Sequence, residues 1–164
     1  MRSVADAAPM YDMIELFYFA YRDFVGDADR LLETFGFGRA HHRVLHFVAR
    51  HPGLTIAELL DILAITKQSL NRVLKELVAQ DFIEARAGAQ DRRQRRLHVT
   101  EKGDDLALKL ARAQTRRFAA AMRALGPDAK GDAAAFLLEM IDREARPRIL
   151  ALIGAGPAPI ETRS

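Results

Sequence analysis

Long stretches of the chain repeat apolar residues every three or four positions, which is the spacing of a helix with one buried face. This pattern runs through residues 10–35 and predicts one long amphipathic helix. It returns in residues 39–50, where Val44, Leu45 and Val48 are predicted to face the core. The N-terminal part of the chain is therefore predicted to form two helices.

Two shorter helices follow, and each begins with a recognisable cap. Thr55 and Glu58 have the spacing of a capping box, in which each side chain satisfies a free backbone N–H group, and they start a helix that reaches residue 63. Thr66 caps the next helix. The buried stripe of that helix is predicted to comprise Leu70, Val73, Leu74 and Leu77. Two short helices joined by a tight turn form a helix-turn-helix.

The pattern then changes to the alternation that is typical of strands. Residues 82–86 and 95–99 are predicted to form two short strands, with Leu97 facing inward and Arg96 facing solvent. The connection over residues 87–94 is polar and basic. A hairpin in this position, directly after a helix-turn-helix, is a wing.

Two further helices complete the predicted elements. Thr100 caps a long helix that ends near Leu125, before Gly126. A last helix is predicted from Asp128 onward, with a kink or break at Pro147, because proline lacks the N–H group that an inner helical turn requires. The predicted fold is therefore mainly α-helical with a small β-wing.

The composition argues against most kinds of active site. The chain has no cysteine, which excludes disulfides, cysteine-ligated zinc, iron-sulfur clusters and thiol-based redox sensing. Its serines are Ser3, Ser69 and Ser164, and its glycines form neither a dinucleotide fingerprint nor a phosphate-binding loop. We expect no enzyme, no catalytic residue and no cofactor. No apolar run approaches the roughly 18 residues of a membrane span, so a cytoplasmic location is expected.

Positive charge is concentrated in one short part of the chain. Residues 67–96 hold eight basic and four acidic side chains, whereas the whole chain has a net charge of only +3. The rest of the chain is therefore close to neutral. A confined basic patch is typical of nucleic-acid binding, because contacts to phosphates release counterions. The alternative is a solvated charged loop.

The wing and the second short helix carry motifs that resemble one known family. Residues 91–103 contain an Asp, an Arg two positions later, then an apolar residue and a Thr that opens a helix, and this segment resembles the wing signature of the MarR family of bacterial regulators. Val99 stands where that family usually has Leu. Residues 63–77 are similar, without a gap, to the family's recognition-helix pattern. The order of elements resembles the family from about residue 10 to residue 153.

The resemblance implies a six-helix winged fold that dimerises through its first helix and its last two. It also implies a transcription regulator that represses, or occasionally activates, nearby genes by binding palindromic operators. Members often release DNA when a small apolar or anionic ligand binds. The predicted organisation is an N-terminal dimerisation helix (1–38), a winged helix-turn-helix DNA-binding domain (39–99), C-terminal dimerisation helices (100–154) and a disordered proline- and glycine-rich tail (155–164).

Candidate DNA contacts on the second short helix follow from its buried stripe, which turns the polar residues outward. Glutamine pairs well with adenine and arginine with guanine, while lysine and asparagine serve phosphates. The alternative is that these are ordinary solvated residues. The predicted DNA-binding residues of this helix are Thr66, Gln68, Ser69, Asn71, Arg72 and Lys75.

Three arginines make the wing a second candidate contact. Arg93 is predicted to enter the minor groove, where a narrow A·T-rich stretch concentrates negative potential, and Arg92 and Arg95 are predicted to meet phosphates. Asp91 is predicted to accept N–H groups within the hairpin and to orient a neighbouring arginine. Solvent exposure of each single arginine is the alternative.

Histidines and aromatic residues raise two further possibilities. His42 and His46 are four residues apart on a helix, a spacing that suits a metal, but without a cysteine or a converging carboxylate we expect surface or dimer-contact histidines and no metal site. A ligand cavity between the dimerisation and DNA-binding parts is the second possibility, and core or dimer packing explains most of the same residues equally well. Its candidate lining comprises Phe17, Tyr21, Phe24 and Phe47.

Together these features predict a cytoplasmic homodimer that binds a pseudo-palindromic double-stranded DNA operator and is modulated by a small apolar or anionic effector. The resemblance implies repression as the common output, and activation is the alternative. The alternatives are a metal- or ligand-sensing receptor, a winged helix used for protein contacts and, least favoured by the composition, a small enzyme.

Overall fold

A computed structural model describes residues 7–155 as seven helices and three strands, so the predicted fold class is confirmed. Ala155 still belongs to the last helix, and the rest of the predicted tail, 156–164, lies outside the described residues. The elements are α1 (Tyr11–Glu33), α2 (Arg39–Arg50), β1 (Leu54–Thr55), α3 (Ile56–Leu63), α4 (Lys67–Ala79), β2 (Ile83–Ala87), β3 (Arg95–Val99), α5 (Glu101–Leu125), α6 (Ala129–Met140) and α7 (Arg146–Ala155).

The core lies where α2, α4 and α5 meet the small sheet. The predicted stripes of α2 and α4 are both confirmed, since every member is buried. Phe82 and Ile83, at the start of the wing, and Leu110 of α5 are also fully buried. Burial of each large apolar side chain stabilises the fold by about 1.5–3 kcal/mol. The packing of α2, α4, α5 and the sheet in this core therefore holds the helix-turn-helix and the wing together.

The sheet has the order β1-β3-β2 and is antiparallel throughout. Leu54 of β1 lies opposite Leu97 of β3, and the sequence did not predict β1 because two residues are too few to show an alternating pattern. The prediction for Arg96 was wrong. Its guanidinium donates to the carbonyl oxygen of Gly53 at 3.0 Å and is half-buried, so Arg96 fastens β3 to the loop before β1.

The junction between the wing and α5 depends on a close backbone approach. Thr100 caps α5, as predicted, because its hydroxyl oxygen accepts the N–H of Gly103 at 3.0 Å. A Cβ atom on Gly103 would lie 2.0 Å from the carbonyl oxygen of Phe82. Only glycine fits there without a shift of the backbone, and this contact sets the position of α5 against the sheet.

The first half of α1 extends beyond the rest of the chain. Its buried residues are Val25, Ala28 and Leu32, whereas residues 11–21 are exposed although most are apolar. Further along, Phe24 contacts Phe118 of α5, with ring centroids 5.1 Å apart. Despite this apolar character, no helix within residues 7–155 is long and apolar enough to cross a membrane.

The break in the predicted C-terminal helix lies before Pro147 and not at it. The helix predicted from Asp128 ends at Met140, and α7 begins at Arg146, so Pro147 lies in the first turn of α7. Proline is tolerated there because the N–H groups of a first turn have no helical partner. Arg146 stabilises the connection, because its guanidinium donates to the carbonyl oxygens of Ile141 and Glu139, each at 2.8 Å.

Candidate nucleic-acid interface

The turn between α3 and α4 is built from two caps and one left-handed residue. Thr55 and Glu58 form the predicted capping box, with the Thr55 N–H donating to the Glu58 carboxylate at 2.8 Å. Ala64 ends α3 with a φ of 51° and a ψ of 41°. Thr66 then caps α4 by accepting the N–H of Ser69 at 3.1 Å. The predicted helix-turn-helix is therefore present.

The polar residues predicted to read DNA lie on the solvent side of α4. Gln68, Asn71, Arg72 and Lys75 are exposed, opposite the buried stripe of the same helix. Ser69 is half-buried, and its hydroxyl oxygen accepts the hydroxyl of Thr66 at 2.9 Å. Thr66 and Ser69 therefore form the N-terminal cap, and the other four side chains make up the outward face.

A histidine holds this face in place. His41 of α2 is buried and lies with its Nε2 atom 2.6 Å from Glu76 of α4. Glu76 also lies 3.9 Å from Arg72, one turn earlier on the helix. The sequence did not predict this contact, because the two partners are 35 residues apart and no local pattern links them.

The wing hairpin is ordered by the carboxylate that the sequence singled out. Asp91 accepts the backbone N–H of Arg93 at 2.9 Å, and its carbonyl oxygen accepts the N–H of Gln94 at 3.1 Å. The N–H of Gly88 closes the loop on the carbonyl oxygen of Gln94 at 2.8 Å. Within residues 7–155 the Asp91 carboxylate pairs with no arginine side chain, so its contact is with the backbone alone.

Positive charge on the wing is left open to solvent. Arg92, Arg93 and Arg95 are exposed and form no ion pair with any residue of the described chain. Arg86, by contrast, is paired with Glu84 on the same strand. The wing therefore offers three free guanidinium groups.

Helix α4 and the wing meet in a shallow hollow. Asn71 and Lys75 of α4 line it together with Arg95 of β3, and its floor includes Leu74 and Leu97. The polar groups of the two elements therefore belong to one continuous surface.

Four histidines have lowered pKa values, namely His42, His46, His51 and His98, and burial is the first cause in each. Burial, followed by the neighbouring Arg86, lowers the pKa of His98 on the wing. Burial and the neighbouring His46 lower the pKa of His42 to about 4. Within residues 7–155 no group of three or more potential metal-binding side chains occurs, and the His42 and His46 rings are 6.5 Å apart between centroids.

The four aromatic residues proposed for a ligand cavity are not brought together. Phe17 and Tyr21 lie on the exposed half of α1, and Phe24 packs on Phe118 of α5. Phe47 lines a cavity that the other three do not line. Tyr21 nevertheless lies next to α2, because its hydroxyl oxygen accepts a hydrogen bond from Arg43 at 3.0 Å. A pocket shared by the four rings stays a prediction.

Comparison with known proteins identifies this arrangement. A sequence model described as "MarR family" matches residues 35–94, which span α2 to the wing. The chain is 48% identical, over 133 residues, to the HTH-type transcriptional regulator PetP of Rhodobacter capsulatus, and the match covers 81% of this chain and 80% of that protein. The chain belongs to the MarR family. An uncharacterized HTH-type transcriptional regulator of Staphylococcus aureus is 30% identical over 86 residues, which is 52% of this chain and 59% of that protein.

Solved structures share the same fold at low sequence identity. MepR of Staphylococcus aureus in its DNA-binding conformation has a TM-score of 0.67 at 22% identity, covering 78% of this chain and 95% of that one. A MarR regulator from Methanosarcina mazei also has a TM-score of 0.67, at 18% identity, covering 83% and 91%. As a MarR-family member the chain is a DNA-binding transcriptional regulator and not an enzyme, as predicted.

Proposed function

We propose that this MarR-family regulator binds a pseudo-palindromic operator as a homodimer, with α4 in the major groove and the wing at the adjacent minor groove. The supporting observation is the hollow that Asn71 and Lys75 of α4 share with Arg95 of the wing, whose hairpin also carries the exposed Arg92 and Arg93. The dimensions of a major groove admit one helix, and a hairpin beside that helix reaches the next groove.

Each side chain of this surface has a distinct role in the proposal. Arg72 reads a guanine edge and Gln68 reads an adenine, since both project from the N-terminal half of α4. Asn71 and Lys75 bind phosphates from the same helix.

The wing has a different role. Arg93 enters the minor groove, while Arg92 and Arg95 bind phosphates on either side. Asp91 keeps the hairpin in shape through the Arg93 backbone. Thr66 and Ser69, at the positive end of the α4 dipole, lie where a phosphate is favoured.

A second copy of the chain covers the apolar surface that one copy leaves open. Phe17 is 51% exposed in α1, Leu125 is 80% exposed at the end of α5, and α6 and α7 have no buried residue. Exposed patches of this kind mark interfaces, and two-fold dimers match palindromic sites. The division into dimerisation helices (1–38 and 100–154) and a DNA-binding domain (39–99) is part of this proposal.

Repression in the cytoplasm, relieved or modulated by a small ligand, completes the proposed function. A dimer that occupies an operator blocks transcription by its presence, so no catalysis is required. A ligand alters the output only if it binds the DNA-competent and the DNA-free forms with different affinity.

Salt dependence of operator binding tests this function. An operator is first selected from random DNA fragments by the purified protein, and its affinity is then titrated from 50 to 200 mM salt. Contacts to about 6–10 phosphates predict a loss of about 10³- to 10⁵-fold over this range. A flat salt response, or no enrichment of any fragment, contradicts the proposal and favours a winged helix used for protein contacts.

A further inference from the structure

One side of α5 carries positive charge that neither the proposed DNA surface nor the proposed dimer contact uses. Between Asp105 and the end of the helix at Leu125 there are basic residues but no acidic one. Four of the basic residues are exposed and, within residues 7–155, form no ion pair. Their spacing of three, four and seven positions places them in one row along about 20 Å of the helix. The row consists of Lys109, Arg112, Arg116 and Arg123.

The row borders an open groove between α5 and α1. Arg116 of α5 and Arg30 of α1 both line it. Its apolar lining comprises Leu31, Ala113, Ala120 and Ala121. A second hollow continues the groove from Leu31 toward the start of α5, past Lys109. These residues define the basic groove, in which small apolar side chains lie between basic ones.

The carboxylates of the basic groove offset only part of its positive charge. Asp27 lies between two arginines, with its Oδ2 atom 2.5 Å from Nε of Arg117 and its Oδ1 atom 2.9 Å from Nη2 of Arg30. The hydrogen bond from Arg117 holds the pKa of Asp27 below its ordinary value, so this carboxylate is ionised at neutral pH. Arg116 adds a third guanidinium group to the same hollow. The second hollow has one carboxylate and two ammonium groups, those of Asp105, Lys102 and Lys109.

The basic groove faces away from the apolar surface that is assigned to the second copy. Successive residues of a helix are about 100° apart, so the exposed Phe118 and Leu125 lie about 160–180° around α5 from Arg116. On α1, Phe17 lies about 140° around the helix from Arg30. A second copy bound to the apolar surface therefore leaves the basic groove open. The groove is also separate from the DNA surface, because its lining belongs to neither α4 nor the wing strands.

We propose that the basic groove binds an acidic amphipathic helix of a partner protein. The carboxylates of such a helix pair with Arg30 and with the row on α5, and its apolar face lies on the alanine side chains. A helical turn is about 5.4 Å long, which matches the row because its members are one or two turns apart. Nucleic acid fits less well, because its outer surface of phosphate and sugar leaves the alanine and leucine side chains without an apolar contact.

A labelled peptide of about 18 residues, long enough for five helical turns, is the probe. It has alanine and leucine on one face and glutamate at every third or fourth position on the other. One control peptide replaces each glutamate by glutamine, and a second has the same composition in an order that spreads the glutamates around the helix. Fluorescence anisotropy with the full-length protein at low salt should show at least about tenfold weaker binding of both controls. Equal affinity of the three peptides, or no binding of the glutamate peptide, overturns the proposal.

Matched variants locate the site of the probe. Arg116→Glu reverses a charge in the basic groove and should weaken binding of the glutamate peptide at least about tenfold. Arg143→Glu makes the same reversal at an exposed position between α6 and α7 and should leave binding unchanged. Ala120→Phe keeps every charge but obstructs the groove, so it should also weaken binding. Circular dichroism shows that each variant is folded, and unchanged binding by folded Arg116→Glu overturns the proposal.

Two further measurements show whether the probe or a second copy uses a different surface. Random duplex DNA should not displace the peptide, and displacement places the peptide on the proposed DNA surface. Light scattering of Arg116→Glu should give the same mass as the wild type, and a lower mass places the basic groove in the dimer contact. Either result overturns the proposal. A protein that binds the peptide in the basic groove but selects no operator contradicts only the proposed function.

Discussion

The Nε2 atom of His41 lies 2.6 Å from a carboxylate oxygen of Glu76, and this contact joins α2 to the helix that carries the proposed base-reading side chains. The other ring nitrogen accepts the backbone N–H of Gly38 at 3.1 Å, so Nε2 carries a proton and donates it to Glu76. The ring also stacks on Phe37, with centroids 4.7 Å apart. His41 is therefore held by Gly38 and Phe37 at the start of α2 and contacts α4 through Glu76.

Removing this histidine is expected to destabilise the protein. His41→Ala loses a buried ring and a hydrogen bond to a charged group, which predicts a fall of about 2–4 kcal/mol in the free energy of unfolding, measured in urea. Glu76→Gln keeps a hydrogen-bond acceptor and should cost about 0.5–1.5 kcal/mol. His51→Ala, at a more exposed ring, is the control. If His41→Ala lowers the free energy of unfolding no more than His51→Ala does, His41 does not stabilise the contact between α2 and α4.

Acid is expected to destabilise the fold through His42. Burial and the neighbouring His46 lower the pKa of His42 to about 4, so its ring is neutral in the folded state at pH values where the unfolded chain, with an ordinary pKa near 6.5, takes up a proton. Stability is therefore complete above about pH 6.5 and falls as the pH drops toward 4. Because solvent partly screens the ring, this loss should be on the order of 1–2 kcal/mol.

A variant isolates this contribution. His42→Asn should have a shallower dependence of the free energy of unfolding on pH between 6.5 and 4, measured by urea titration at several pH values. If the free energy of unfolding of His42→Asn depends on pH as steeply as that of the wild type, other groups cause the acid sensitivity.

The approach of α5 to the wing gives a third prediction. Gly103→Ala places a Cβ atom 2.0 Å from the Phe82 carbonyl oxygen, so the backbone must shift, and we expect a loss of about 2–4 kcal/mol. Gly131→Ala, on the exposed side of α6 with nothing within 4 Å, should instead stabilise by about 0.5–1 kcal/mol. Thermal unfolding of both variants measures the difference, and equal stability would refute the close approach.

Helices and caps were predictable from the sequence because their signals are local. The spacing of Val44, Leu45 and Val48 in α2 and the threonine caps at Thr66 and Thr100 each involve residues within one or two turns. The outward face of α4 was predictable for the same reason, because it lies opposite a buried stripe whose spacing is local. The roles of its side chains at DNA stay predictions.

Features that join distant parts of the chain were not predictable. The pairing of Leu54 with Leu97 and the bond from Arg96 to Gly53 both depend on how the sheet closes, and neither residue type is diagnostic by itself. The break before α7 was misplaced for a related reason. Proline is compatible with a first turn as well as with a kink, and only the Arg146 contacts to the preceding loop decide between them.

Dimerisation through α1 is open to a direct test. The wild-type protein should scatter light with about twice the chain mass of 18.3 kDa at micromolar concentration. Phe17→Asp places a charge on the exposed apolar half of α1 and should shift the mass toward a monomer, because a buried unpaired charge is costly. Gln90→Asp introduces the same charge on the wing and should leave the mass unchanged. A monomeric wild type rejects the dimer.

The central claim is that α4 reads bases while the wing senses groove shape, and single substitutions separate the two roles. Arg72→Ala should lose a base contact, at a cost of about 1–3 kcal/mol per half-site, and relax the preference at one operator position. Arg93→Ala should weaken binding chiefly where the flanks are A·T-rich. Lys75→Ala should weaken binding to all sequences about equally and lower the salt slope by roughly one unit per phosphate lost.

The most direct measurement is a binding titration of these three variants against the operator, the operator with exchanged flanks and random DNA, at two salt concentrations. Arg143→Ala and Lys130→Ala remove the same charges outside the proposed surface and serve as controls. The predicted result is a loss for Arg72→Ala that is larger on the operator than on random DNA, with Arg93→Ala sensitive to the flanks. Equal losses on all three DNAs for Arg72→Ala, or wild-type affinity for Arg93→Ala, would contradict the claim.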